Sequence, residues 1–208
     1  MSITLILVII TTLISIAAFN NRSLLEALKH YPVAEYHHKE YYRMITSGFV
    51  HGDFMHLFLN MFVLHEFGRY VEHYFQVVHG DLAGKILYVL IYIAMIITGD
   101  IPTFSRHKDN YHFASVGASG AVSGIIFIYI LLNPWAMLGL FAIIPIPAIV
   151  FGVLYLWYSS WASNNSRDMI DHDAHFYGAI AGIILAAALR PAILTDFITR
   201  LIQEFPFG

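Results

Sequence analysis

One serine and one histidine of this chain have surroundings that suit nucleophilic catalysis. Ser119 lies in the sequence GASG (117–120), and His175 lies in AHFYG (174–178). A serine hydroxyl is a poor nucleophile at neutral pH until a base removes its proton. Histidine is the usual base, because its ordinary pKa is about 6.5. We therefore predict that Ser119 and His175 form a catalytic dyad.

Two further polar residues suit the stabilisation of negative charge. His56 and Asn60 begin and end the sequence HLFLN, so they share one face if the segment is helical. Acyl transfer passes through a tetrahedral oxyanion that needs hydrogen-bond donors, and a backbone N–H near a helix N-terminus adds to such side chains. His56 and Asn60 are therefore candidate donors.

The composition indicates a membrane protein. Of the 208 residues, 58% are hydrophobic and only 12% are charged, whereas a soluble domain carries about 25% charged residues. A membrane-spanning helix takes about 20 residues. We predict a single all-α domain over residues 1–208, a polytopic bundle of six transmembrane helices. The apolar stretches are 3–19, 54–71, 86–99, 115–132, 139–158 and 174–189, with a polar loop over 100–110.

The first of these stretches resembles a signal peptide in length only. Its N-terminal flank lacks Lys and Arg, and no A-x-A site follows it. We therefore expect a retained first helix.

Alternate spans bring the candidate residues to one depth. Spans two, four and six run in the same direction, and each carries its polar residues near its start, with Ser119 expected about one turn into span four. Gly120 and Gly124 are four residues apart, as are Gly178 and Gly182. Small residues at this spacing let helices pack closely in lipid, so the dyad residues can meet.

Other kinds of site have weaker support. The net charge is −3 without a Lys/Arg cluster, so nucleic-acid binding is not expected, and the absence of cysteine excludes thiolate chemistry. Asp53 with His56, and His172 with His175, leave zinc binding open as an alternative, either in a His-rich metal transporter or in a metalloprotease. Such a transporter would spread ionisable residues through several depths. We expect no metal and no cofactor.

The three motifs together resemble the rhomboid intramembrane serine proteases. They are HLFLN, GASG and AHFYG, in that order and in alternate spans. The resemblance covers about residues 40–190. Supporting matches are Tyr42-Arg43, the sequence GRYVE at 68–72, and Pro145-Ile146-Pro147.

The resemblance implies a function and a role for each residue. Ser119 would be the nucleophile and His175 the base, without a third carboxylate. His56, Asn60 and the Ser119 N–H would form the oxyanion hole, supported by His51. Gly117, Gly120 and Gly178 would support the helix contacts. Substrates would be single-pass membrane proteins, admitted past span five and cut in or near their transmembrane segment.

The resemblance also implies a location, and the chain departs from the family in places. The site would open to the extracytoplasmic side of a cell membrane. The Lys and Arg residues of the loops alone would instead place the first, third and fifth loops, which lie on the side of the site, in the cytoplasm. Ser123 stands where many members carry an aromatic residue packed on the catalytic histidine. Asp171 and Asp173 stand just before His175, close enough to act on it electrostatically. A rhomboid-like protein that binds membrane segments without cutting them is the main alternative.

Overall fold

The structure is a computed structural model that describes residues 2–140, 144–166, 168 and 170–206. Within these residues, six helices of 14 or more residues form a bundle. The bundle is all-α apart from one small antiparallel hairpin, which confirms the predicted fold class. In chain order the elements are α1 (Ile3–Asn20), α2 (Arg22–Leu28), α3 (Pro32–His38), α4 (Arg43–Thr46), a 3₁₀ turn (Ser47–Phe49), α5 (Phe54–His79), α6 (Asp81–His107), α7 (Ser119–Leu132), β1 (Met137–Leu140), β2 (Ile144–Pro147), α8 (Ala148–Asn165), α9 (His172–Leu189) and α10 (Ala192–Gln203).

Several of these helices suit a bilayer. By length and composition, α1, α6 and α9 are each able to cross a membrane, and α7 is apolar but shorter. Large apolar side chains point outward from the bundle, as they would toward lipid rather than water. Examples are Leu13, Phe58, Leu90, Trp157 and Ile184. The chain is a multi-pass membrane protein.

The helix boundaries differ from the predicted ones at several places, and α5 also continues beyond residue 71 to His79. The fifth stretch, predicted over 139–158, begins with the β1–β2 hairpin, and the helix occupies Ala148–Asn165 instead. Pro145 and Pro147 account for this, because proline lacks an N–H and favours extended backbone before it. The loop predicted over 100–110 is mostly helical, since α6 continues to His107. Ser119 is the first residue of α7 rather than a turn into it.

Helix α7 lies at the centre of the bundle, where eleven of its fourteen residues are buried. Such an all-round apolar sequence is typical of a helix surrounded by protein. The largest fully buried side chains around it come from α5 and α6, namely Phe75, Leu64, Tyr88, Tyr92 and Met95. Its surroundings therefore hold Ser119 on a rigid element.

At the other end of α5, Glu72 ties the first helix to the bundle. Its carboxylate accepts hydrogen bonds from the Ile3 and Thr4 N–H groups at 2.8 and 2.9 Å, and from the Ser2 and Thr4 hydroxyls. The first N–H groups of a helix have no partner within it, so a carboxylate there satisfies them. The GRYVE match thus contains the cap of α1.

The connection from α1 to α5 is folded rather than extended. Arg43 donates to the Glu26 carbonyl at 2.7 Å and to the Glu40 carboxylate at 2.6 Å, which fastens α4 to the end of α2. His30 forms a two-residue antiparallel bridge with Ser115, just before α7. This connection therefore contacts the segment that leads into Ser119.

Candidate active site

The segment before Ser119 has a backbone conformation that favours glycine. Gly117 has φ +122°, and a Cβ placed there would lie 2.7 Å from the His56 imidazole. The Gly117 N–H donates to the Ser47 carbonyl at 3.0 Å. A residue with a side chain would be strained at this φ and would also clash. Gly117 thus lets the segment run against His56 and places Ser119 at the first position of α7.

His51 supports the same segment through a defined tautomer. The Ala118 N–H points to His51 Nε2 at 3.4 Å, so this nitrogen is the acceptor. His51 Nδ1 must then carry the proton and donate to Ser15 Oγ at 3.0 Å, while the Ser15 hydroxyl donates to the Phe49 carbonyl. Burial, together with the nearby His56, lowers the pKa of His51 to about 3. The neutral ring therefore holds the backbone immediately before Ser119.

His56 and Asn60 lie on one face of the first turns of α5. Asp53 caps this helix by accepting the His56 N–H at 2.8 Å. Asn60 is buried, and its Nδ2 donates one hydrogen to the His56 carbonyl at 2.9 Å, which leaves its second hydrogen for another acceptor. The His56 ring packs edge-on against His51 with centroids 4.9 Å apart. The His56 side chain is thus near the segment that precedes Ser119, and Asn60 lies one turn further along the same helix.

His175 lies in the first turn of α9, whose cap is Asp171. The Asp171 carboxylate accepts the Ala174 N–H and the Thr103 hydroxyl, both at 2.9 Å. Asp173 instead pairs with Arg106 and Ser163, each at 2.6 Å. The two acidic residues before His175 therefore have structural partners of their own.

Close packing of α7 against α9 brings residues next to Ser119 and His175 into contact. A Cβ on Gly120 would lie 3.2 Å from the Ala174 carbonyl oxygen, and a Cβ on Gly178 would overlap the Gly120 carbonyl. Gly120 and Ala174 adjoin Ser119 and His175 in sequence. No hydrogen bond joins the Ser119 hydroxyl to His175 in the described part of the chain. Such bonds are often long before substrate binds.

The His175 ring is held by other rings. Tyr155 of α8 stacks on it with centroids 6.1 Å apart and 24° between the planes, and His172 contacts it edge-on at 6.0 Å. The Tyr155 hydroxyl lies 2.5 Å from Ser123 Oγ. The sequence motifs did not identify Tyr155. The small residue Ser123 was an indication, because its side chain leaves space beside His175 that a ring from another helix can fill.

The residues considered for zinc have other partners. Asp53 caps α5, and His172 Nε2 lies 3.1 Å from the Asp168 carboxylate. Among the described residues, no group of three or more His, Asp or Glu side chains is placed to hold a metal ion.

Comparison with known proteins identifies the class. A family model described as the Rhomboid domain matches residues 38–192. The chain therefore belongs to the rhomboid family.

Individual relatives agree with this assignment. RHOMBOID-like protein 12, mitochondrial, of Arabidopsis thaliana is 30% identical over 154 residues, which cover 71% of this chain and 46% of that protein. Rhomboid protease GluP of Bacillus subtilis (strain 168) is 31% identical over 152 residues, 72% of this chain and 26% of that protein. Putative rhomboid protease YdcA of the same organism is 31% identical over 91 residues, 44% of this chain and 41% of that protein. The match spans less than half the length of each relative.

Proposed function

We propose that this protein is an intramembrane serine endopeptidase that uses Ser119 and His175. The observation that supports the proposal is the close packing of α7 on α9 at Gly120, Ala174 and Gly178, next to a serine that begins one helix and a histidine in the first turn of the other. Family membership and the relative named as the protease GluP support the same chemistry.

The reaction would proceed through an acyl enzyme. Ser119 Oγ attacks the scissile carbonyl carbon while His175 takes the hydroxyl proton. The C–N bond then breaks, and His175 returns this proton to the leaving amine. Water attacks the resulting ester with His175 again as base, which releases the new carboxyl terminus and restores Ser119.

The oxyanion would be bound by three donors. The Ser119 N–H is at the N-terminus of α7, where backbone N–H groups have no partner within the helix. Asn60 Nδ2 has one hydrogen not used by the His56 carbonyl, and the His56 ring lies against Gly117. Fixed donors aimed at developing charge are among the strongest contributions to catalysis.

The proposed substrates are single-pass membrane proteins cut in or near their transmembrane segment. We further propose that they enter past α8 and that the site opens to the extracytoplasmic side of a cell membrane. The peripheral place of α8 supports this route, because its buried residues are all small: Ala148, Gly152, Ser159 and Ala162. Only four of its eighteen residues are buried, against eleven of fourteen in α7, so displacing α8 would disrupt less packing than displacing the central helix.

Labelling with a serine-directed fluorophosphonate probe tests the function. The purified protein should be labelled, whereas Ser119→Ala should not be labelled and His175→Ala should be labelled far more slowly. Ser160→Ala is the matched control, because Ser160 is an exposed serine on α8. Equal labelling of wild type and Ser119→Ala would reject Ser119 as the nucleophile. A folded wild type that neither labels nor cleaves a model single-pass substrate would favour a non-cleaving binding protein.

A further inference from the structure

Tyr155 forms a bridge between the helices that carry the dyad. It belongs to α8, its ring stacks on His175 of α9, and its hydroxyl contacts Ser123 of α7. The Ser123 hydroxyl donates its own proton to the Ser119 carbonyl at 2.7 Å, so the Tyr155 hydroxyl is the donor to Ser123. One side chain thus links the ring of the proposed base to the helix turn that begins with the proposed nucleophile.

The contacts around Tyr155 define the orientation of its ring. Phe127 of α7 and Phe151 of α8 lie against it, with centroids 5.8 and 5.6 Å away. The hydrogen bond to Ser123 fixes the position of the hydroxyl at the end of the ring. Ring contacts at these separations are favourable and prefer defined geometries. Tyr155 therefore presents a fixed face to His175.

The His175 imidazole has no comparable polar restraint. Within the described residues, neither ring nitrogen of His175 forms a hydrogen bond, and its ring contacts come from Tyr155 and His172. A general base must lie within hydrogen-bond reach of the proton that it removes. The direction of the imidazole is thus set by packing, mainly by the stacked face of Tyr155.

We infer that Tyr155 is a positioning residue for His175, and that the geometry of the base therefore depends on the placement of α8. The inference rests on the proposed function. A displacement of α8 would withdraw the Tyr155 ring from His175. Substrate entry past this helix and the orientation of the His175 ring would therefore be linked. The second polar attachment of α8, Ser163 with Asp173 and Arg106, lies nearer its C-terminal end.

Kinetics of Tyr155 variants test the positioning. Tyr155→Leu should lower kcat about 10- to 100-fold with little change in KM, because a base displaced by about 1 Å loses about that much rate. Tyr155→Phe keeps the ring but loses the hydrogen bond to Ser123, so we expect about a three- to tenfold loss. Ser123→Ala should lose the same, and the double variant should lose no more. Trp157→Ala, an exposed aromatic on the same helix, is the control.

A spectroscopic measurement separates positioning from general destabilisation. In histidine-labelled protein, the NMR signals of the His175 ring should move in Tyr155→Leu, since the ring current of the tyrosine is removed, and should stay close to wild type in Tyr155→Phe. Full kcat in Tyr155→Leu, or equal losses in both variants with unmoved His175 signals, would overturn the inference. An inactive wild type whose His175 signals still respond to Tyr155 would reject the protease function, whereas the positioning would stand.

The dependence on α8 has its own test. Ser163→Ala removes a polar attachment of α8 and should lower kcat about threefold by letting the helix move. In the Tyr155→Leu background the same change should have no further effect, because the link to His175 is already absent. Additive losses would overturn the dependence on α8. Ser160→Ala is again the control.

Discussion

The two halves of the candidate dyad are held in different ways. The backbone before Ser119 is fixed by the hydrogen bonds that its N–H groups donate to His51 Nε2 and the Ser47 carbonyl, and by the bridge between His30 and Ser115. The ring of His175 is fixed by packing against Tyr155 and His172. Hydrogen bonds require particular donors and acceptors, whereas packing requires only shape. Substitutions that keep the shape of a side chain but remove its polar groups should therefore cost more on the nucleophile side than on the base side.

The largest effect is expected at Gly117. Gly117→Ala should lower kcat/KM at least about 100-fold, because its Cβ would clash with His56 and its φ is unfavourable for alanine. Gly52→Ala is the matched control, since a Cβ there would approach only Val116 at 3.8 Å. Thermal unfolding of both variants would show whether the fold survives. Full activity of a folded Gly117→Ala protein would contradict the tight fit of this segment.

Loss of an oxyanion donor should have an effect close to this one. Asn60→Ala should lower kcat by about 10²–10³ with a smaller change in KM, by analogy with other hydrolases. Asn20→Ala controls for the local hydrogen bond, because Asn20 on α1 also donates to the carbonyl four residues earlier but is exposed. Similar kinetics of the two variants would show that Asn60 has only a helical role.

Replacing two histidines by phenylalanine compares the halves directly. His51→Phe keeps a ring but loses the bonds to Ala118 and Ser15, so we expect about a tenfold loss of kcat. His172→Phe keeps the edge contact with His175 and should stay within about threefold of wild type. Steady-state cleavage of one model substrate measures both. A larger loss in His172→Phe would reverse the proposed difference.

The smallest effect concerns pH and stability. The pKa of His51 is lowered to about 3 by burial, whereas the unfolded chain has an ordinary histidine near 6.5. Between these values the unfolded state binds a proton that the folded state does not, so stability falls as pH drops below 6.5, down to about 3. His51→Asn should weaken this dependence in thermal unfolding scans. An unchanged slope would show that His51 does not contribute to it.

His30 should contribute a pH dependence of stability that is opposite in sign to that of His51. Burial opposes its charge, but Asp100 and Glu35 outweigh this and leave the pKa of His30 raised. Its stabilising contribution is complete below 6.5 and is lost as pH rises through the raised value. In the His51→Asn background, His30→Gln should therefore remove stability at low pH and have less effect at high pH.

Much of the fold follows from local features of the sequence. Charge-poor stretches of spanning length predicted the bundle, and glycines spaced by four predicted the approach of α7 and α9. The hairpin was missed, because residues 139–147 are as apolar as a helix and only their prolines indicate extended backbone. The continuation of α6 past Asp100 was also missed, since its polar residues are satisfied by tertiary contacts such as Ser47 with Asp100 at 3.1 Å.

The candidate site was accessible to sequence analysis only in part. Motif residues such as Ser119 and Asn60 are recognisable from type and spacing. The residues that hold the site are far apart in the sequence and belong to different elements. Ser15 contacts His51, which is 36 residues away, and Tyr155 contacts Ser123, which is 32 residues away. Ser47 accepts a hydrogen bond from Gly117. Such residues carry no local signature, because a serine or tyrosine in an apolar helix is more often a packing residue.

The side chain of Asp171 has a geometrical consequence for the whole bundle. By bonding Thr103 of α6 and the Ala174 N–H at once, it sets where α9 starts relative to its neighbour. Each residue of slippage along a helix axis moves a side chain by 1.5 Å and turns it by about 100°. The Asp171 carboxylate thus fixes the axial position and the rotation of the α9 backbone at His175, and the ring then packs against Tyr155 from that position.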